Sequence, residues 1–400
     1  MKNYRAMSGR VRGGAGLGQE TLAGAGGITF FLPIRSGVYL MEISVVVAAH
    51  NQKDRLRLVL CGLGKQTMDM GRFEIVVVDD GSTDGTTDML GSMNLPNLKQ
   101  VRLLPNQGRS RARNIGAEAA CGDLLVFLDG DALPAPDLLQ CYADAYRQYG
   151  LEAVLCGRQY SLPDLEYLQN PQTGTLLEIP IPSVVQDYIA AHLPQMVVTE
   201  EMVCEDFAQV QARARPGAYP FAELQEMQDQ VLELFVQVPD AANRWLGFVP
   251  HNGALARAWF LGEGGGFDEH IPFSEGWELA YRLQKMGASI HAVKAATYHL
   301  YHYHPFAERE VAYREDQVRY RAIEYMVHKH QDERVRLLYF WFAHLWTDPF
   351  IPEEALIYDL VEFDQIYRGA SEVQWRDYRC ILEHHPLQLP KKEVQYDVCA

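Results

Sequence analysis

The chain reads as an α/β protein built on a mostly parallel sheet with helices on both faces. Three observations predict this. The runs ISVVV (Ile43–Val47), EIVVV (Glu74–Val78) and DLLVFL (Asp123–Leu128) are nearly continuous in apolar residues, as strands buried on both sides are. Stretches with helical apolar spacing separate them. Each run ends in polar or acidic residues: His50-Asn51, Asp79-Asp80-Gly81-Ser82 and Asp129-Gly130-Asp131. In an open parallel sheet, groups just past the carboxyl ends of the strands line one crevice where ligands bind.

The elements follow in order. After Asn51, Leu56, Val59, Leu60 and Leu63 fall at i, i+3, i+4 and i+7, which predicts a helix with one apolar face. A short helix is expected from Thr83 to Leu90 and a weaker strand at Lys99–Leu104. Asn106-Gln107-Gly108 then turns into a helix whose Ala112, Ile115, Gly116 and Ala119 are small or apolar. Pro134 and Pro136 open another helix, and Ala153–Gly157 returns as a strand. Residues 161–245 break the alternation, with thirteen acidic residues against three arginines and a mostly helical tone. They read as an acidic helical insertion over the sheet. The α/β pattern resumes near Gly247 and runs to about Pro305, including the strand Ser289–Val293. Residues 306–400 are expected to form a helical extension whose aromatics cap the core.

Bulk properties narrow the function. Four hundred residues with 48% hydrophobic content suffice for a large core, and a net charge of −16 disfavours nucleic acid as the main partner. Seven scattered cysteines form no CxxC pair and no zinc spacing, which fits reduced thiols and a cytoplasmic location. No segment approaches the roughly 18 apolar residues of a membrane span. The most apolar run, Leu337–Trp346, reads as a core helix, with docking to a membrane surface or a lipid-linked acceptor as the alternative. Residues 1–40 are glycine-rich without a hydrophobic period and are expected to be a disordered tail, Met41 beginning the functional protein. The carboxylates gathered after the strands, a DxD among them, suggest a divalent metal holding a phosphorylated ligand.

VVVAAHN, Gln66-Thr67, VVVDDGSTDGT, NQGRSRARNIGAEAACGDLLVFLDGD and GGFDE…EGWELAYRLQKMG together resemble the family 2 glycosyltransferases of the GT-A fold, a Rossmann-like architecture. The likeness covers roughly residues 43–160 and 247–305, which places the transferase domain at 41–305. It implies transfer of a sugar from a nucleotide diphosphate donor, expected to be a UDP-sugar, with Mn²⁺ or Mg²⁺ as cofactor. The acceptor is left open among saccharides, peptides and lipid-linked molecules, and the acidic insertion is expected to disfavour anionic ones. By the same resemblance, Asp80 contacts the nucleobase, and Ala48 and Asn51 pack beside base and ribose. Arg113 lies near the nucleotide, Asp129 meets ribose or metal, Asp131 binds the metal, and His299 completes the metal site. Neutral imidazole favours manganese. Asp79 has a second reading as a cap for the Gly81-Ser82 turn.

On the acceptor side, Gly264–Gly266 is expected to be a flexible loop that approaches the sugar. Many relatives have Glu-Asp where this chain has Glu275-Gly276, and that aspartate is the base that deprotonates the acceptor. Three readings follow. Glu275 serves as the base; or the transfer is retaining, with the leaving phosphate taking the proton; or the chain binds a nucleotide sugar without turnover. A nucleotidyltransferase is a weaker rival, because the glycine-rich loop after the first strand is missing.

Overall fold

The computed structural model describes residues 19–23, 29–33, 41–163, 191, 197–214, 222–271, 273–301, 309–346, 348 and 350–385. Its strands are β1 (Gln19–Ala23), β2 (Thr29–Pro33), β3 (Ile43–Ala49), β4 (Phe73–Asp80), β5 (Leu98–Leu103), β6 (Leu124–Asp129), β7 (Ala132–Pro134), β8 (Ala153–Pro163), β9 (Asn252–Ala256) and β10 (Ser289–Tyr301). Among the described residues these form one sheet in the order β1-β2-β5-β4-β3-β6-β9-β8-β10-β7. Strands β5, β4, β3 and β6 are mutually parallel, as are β8 and β10. β9 runs against both of its neighbours, β6 and β8. The expected α/β class with a mostly parallel sheet is what the chain adopts.

Helices α1 (Lys53–Leu63), α2 (Thr86–Ser92), α3 (Arg109–Ala119) and α4 (Leu138–Tyr149) connect the strands, close to the expected positions. Alternation along β3 decides which face each helix covers. Val45 and Val47 pack with Leu56, Val59 and Leu60 of α1 and with Leu138 and Leu139 of α4. Val46 points the other way, into a second core with Ala112 and Ile115 of α3. The α3 contact is close: a Cβ on Gly116 would lie 2.4 Å from Val46 Cγ1.

In the insertion, α5 (Glu200–Glu205), α6 (Phe207–Arg213) and α7 (Ala222–Gln237) bear out its helical tone; most of residues 164–196 lie outside the described residues. After β9 come α8 (Arg257–Leu261) and α9 (Glu275–Lys285). The extension supplies α10 (Arg309–His330), α11 (Leu337–Trp346), α12 (Leu360–Gly369) and α13 (Glu372–Glu383). It shares a core with the sheet. Trp341 and Phe342 of α11 lie 6.3 and 5.8 Å, centroid to centroid, from Trp277 on α9. Leu337–Trp346 is therefore a core helix, as expected, and none of the described helices is long and apolar enough to cross a membrane.

Two expectations are corrected. β1 and β2 form inside the stretch read as a disordered tail, and β2 pairs antiparallel with β5 over Thr29–Phe31 and Gln100–Arg102. Without it β5 would present an unpaired edge, and β2, with β-forming Thr29, Phe30 and Phe31, covers that edge. Pro134, read as opening a helix, instead ends the three-residue strand β7; α4 begins at Leu138.

Candidate functional site

The carboxyl ends of β3, β4 and β6 bring the predicted polar residues to one edge, since Ala48 is paired with Val78 on one side and Asp129 on the other. Asn51 takes a left-handed conformation (φ 52°) that asparagine tolerates better than most residues. There its backbone N–H donates to Ser82 Oγ (3.0 Å) and its side-chain oxygen accepts from the Thr83 N–H (2.8 Å), stitching the β3 and β4 loops together.

The two aspartates after β4 divide their work. Asp79 is buried and accepts from the Ser82 N–H and the Thr87 hydroxyl, so it caps the turn. Asp80 accepts from the Gln107 and Gly108 N–H groups at 2.7 and 2.8 Å, and this fixes the loop that opens α3. A carboxylate can accept about four hydrogen bonds, so lone pairs remain on Asp80.

That loop aims α3 so that Arg113 is buried between two carboxylates. Its Nη2 donates to Asp129 at 2.6 Å and its Nη1 to Glu275 at 2.5 Å. Burial works against the guanidinium charge, but Asp129 and Glu275 outweigh it and keep Arg113 firmly charged. Burial also pushes Glu275 upward, yet Arg109 (3.5 Å) and Arg113 together hold its carboxyl below the ordinary glutamate range. Glu275 is thus a well-anchored anion and a weakened base.

Asp131 is buried on the far side of Gly130. Gln52 Nε2 donates to its Oδ2 at 3.0 Å, and His299 Nε2 lies 3.6 Å from its Oδ1. Strand β7 sets this pairing: His299 is opposite Ala132, and the Leu300 N–H donates to the Asp131 carbonyl. Among the described residues no three His, Cys, Asp or Glu side chains cluster as a metal cage. Asp131 and His299 are the residues that could hold a divalent ion here, offering it one oxygen and one nitrogen donor. His302 and His304 lie outside the described residues.

Gly276 is tightly enclosed. A Cβ there would meet Pro250 Cδ at 2.6 Å and the Phe248 carbonyl oxygen at 2.9 Å, so a side chain in the aspartate's place has no room. The glycine loop before it is pinned, against the expectation of flexibility. Arg282 donates to the Gly264 and Gly266 carbonyls, and Asn114 bonds both backbone groups of Phe267. Tyr325 and Lys329 of α10 donate to Asp268 at 2.6 Å. Beneath the loop, buried Glu278 gathers Arg282, Lys329 and His330 at 3.0, 2.7 and 3.0 Å.

Sequence reasoning missed Gln52 and His251. His251 immediately precedes β9, and the pairing of Leu128 with Asn252 carries it alongside Asp129. Burial, with His299 and Arg113 nearby and only partly offset by Asp129 and Asp131, lowers its pKa to about 4, so the imidazole is neutral. The signal for it was slight: a Pro-His-Asn-Gly run opening a five-residue strand without β-branched residues.

Residues 44–186 match the family model described as Glycosyl transferase family 2. An uncharacterized glycosyltransferase of Bacillus subtilis, YfnE, is 39% identical over 119 residues, 29% of this chain and 30% of that protein. Validoxylamine A glucosyltransferase of Streptomyces hygroscopicus subsp. jinggangensis is 30% identical over 258 residues, 61% of this chain and 52% of the relative. The crystal structure of S. aureus TarS 1–349 superposes with a TM-score of 0.47 at 16% identity, covering 86% of this chain and 90% of that one. The chain spans about a third to a half of the length of the two curated relatives it matches here. It is residues 44–186 of this chain that carry the similarity to glycosyl transferase family 2.

Proposed function

We propose that the chain transfers a hexose-type sugar from a UDP-sugar to an acceptor, with a divalent ion, Mn²⁺ or Mg²⁺, held by Asp131 and His299. The observation that carries this reading is the Asp129–Arg113–Glu275 chain of ion pairs beside the Asp131–His299 pair, all at the carboxyl edge of the sheet. A nucleoside diphosphate needs a cationic clamp for its phosphates and a hydrogen-bonding rim for its base and ribose. Arg113 offers the clamp, while Asp80, Asn51, Ala48 and Asp129 form the rim.

The bound ion would neutralise charge that develops on the leaving diphosphate. The chain's own residues do the rest. Asp80 fixes the loop that aims α3, and Glu275 holds Arg113 against Asp129. In this reading Glu275 orients the arginine. To act as base it would have to exchange Arg113 for the acceptor hydroxyl, and its lowered pKa opposes that exchange. A retaining route, in which the leaving phosphate takes the acceptor proton, needs no enzymic base and agrees with the enclosed Gly276.

Thermal-shift screening of UDP-sugars with and without MnCl₂, followed by assay of UDP release, tests the reading, because bound ligand raises apparent stability. Metal-dependent stabilisation with UDP release supports a transferase. Tight binding without release favours a nucleotide-sugar-binding protein, and no stabilisation by any UDP-sugar refutes both.

A further inference from the structure

Among the described residues, the proposed donor site holds buried polar atoms that no protein neighbour satisfies, Arg113 Nε and His251 Nε2 among them. Nε2 of His251 is shielded from solvent and has no hydrogen-bond partner. Leaving such an atom unpaired costs free energy, and a native protein that keeps one commonly has a ligand, ion or water to complete it. The surroundings narrow the choice. The imidazole lies within electrostatic reach of Asp129, Asp131, Arg113 and His299, the groups that would receive a diphosphate and its metal.

The backbone that carries His251 is fixed on both sides. On one side, Pro250 is wedged against Gly276 at the start of α9, in the space a side chain at 276 would need. On the other, the Asn252 side chain accepts from the Tyr142 hydroxyl at 2.7 Å and donates to the Arg158 and Ala295 carbonyls at 3.0 Å each. A Cβ on Gly157 would lie 2.4 Å from the Asn252 amide, so that glycine lets the anchor approach. A side chain on so rigid a mount keeps its aim, as a substrate-contacting group must.

We infer that His251 is a donor-binding residue whose Nε2–H donates a hydrogen bond to the diphosphate of the nucleotide sugar. A neutral imidazole supplies one N–H donor and adds no charge to a pocket that already holds Arg113 and, on the proposed reading, a divalent ion. The absence of side-chain space at 276 and the presence of His251 are then two results of one packing arrangement, since the Phe248–His251 segment produces both. This inference rests on the nucleotide-sugar reading above.

Calorimetric titration of the full chain with UDP and with UMP, both in MnCl₂, tests it on wild type, His251→Ala and His251→Gln. Thermal melts of the unliganded proteins control for folding. Loss of one hydrogen bond to a charged group should weaken UDP binding by His251→Ala roughly 10–100-fold, and UMP binding by less than about twofold. His251→Gln, which retains an N–H near the same place, should recover part of the loss. The unliganded melts report the packing cost of truncating the imidazole, which His251→Gln should largely avoid. UDP affinity equal to wild type would overturn the inference and leave the nitrogen to an ordered water. A parallel loss for UDP and UMP would overturn it too. Wild type that binds neither nucleotide would refute the nucleotide-sugar reading itself, and the inference with it.

Discussion

Gly276→Ala should destabilise the protein, although alanine ordinarily strengthens a helix. Replacing glycine inside a helix is worth at most about 1 kcal/mol in propensity. Gly276 is the second residue of α9, and the new Cβ would lie 2.6 Å from Pro250 Cδ, 3.0 Å from Pro250 Cγ and 2.9 Å from the Phe248 carbonyl oxygen. None of these is the end of a flexible side chain, so the backbone at 248–250 or the helix must shift. Overpacking of that kind costs about 1–3 kcal/mol, which exceeds the propensity gain. A net loss of about 1–2 kcal/mol should lower the melting temperature by roughly 2–8 °C for a domain of this size. Gly276→Asp adds a buried carboxylate and should lose more, without gaining the activity that an aspartate supplies in relatives. The assay is thermal and urea unfolding of wild type and both variants. An alanine variant as stable as wild type, or more so, would refute the packing argument.

Three further outcomes are expected. Glu275→Gln should weaken UDP binding along with turnover, because Arg113 loses one of its two carboxylate anchors; loss of turnover with unchanged UDP affinity would instead mark Glu275 as the base. Burial pushes Glu278 upward, but hydrogen bonds from His330, Arg282 and Lys329 bring its pKa down to about 2 from the ordinary 4.5. The stability this contributes, at most about 3 kcal/mol, is complete above pH 4.5 and fades as pH falls toward 2. The stability gap between wild type and Glu278→Gln in urea should therefore shrink as pH drops below 4.5, and a gap independent of pH would contradict it. Trp341→Ala in the extension should cost about 3–5 kcal/mol and lower one shared thermal transition. A separate, unaffected transition for the sheet domain would show that the extension folds on its own.

Much of the sheet was legible because buried parallel strands declare themselves locally. Ile43–Ala49, Phe73–Asp80 and Leu124–Asp129 match the predicted runs to within two residues at either end. The strand read at Ser289–Val293 continues to Tyr301, past an irregularity between Ala292 and Ala296, because β8 offers it a partner along that length. Other features depend on partners far away in sequence. β2 joins the sheet because β5 has an open edge, and β7 is three residues long and exists only against β10. β9, with its unremarkable NGALA sequence, is a strand because β6 and β8 flank it.

The site shows the same division. Asp80 and Asp129 end strands, Asp131 follows one and Arg113 lies in α3, where the strand and helix readings put them; their roles came from the resemblance alone. Asp79's second reading, as a turn cap, is the one its hydrogen bonds support. What the sequence could not display was the pairing: Arg113 shared by Asp129 and Glu275, Gln52 on Asp131, and His251 brought beside Asp129 by an antiparallel strand. The glycine loop was misread because three glycines suggest mobility, whereas Arg282, Asn114, Tyr325 and Lys329 all hold it from other elements.

The most direct test of the central claim is a calorimetric titration of UDP into wild type and Asp131→Ala, each with MnCl₂ and with chelator. The account predicts tight binding only for wild type with the metal, and the same weak binding in the other three titrations. Equal UDP affinity in wild type with and without Mn²⁺, or an Asp131→Ala variant that keeps its metal-dependent gain, would contradict it.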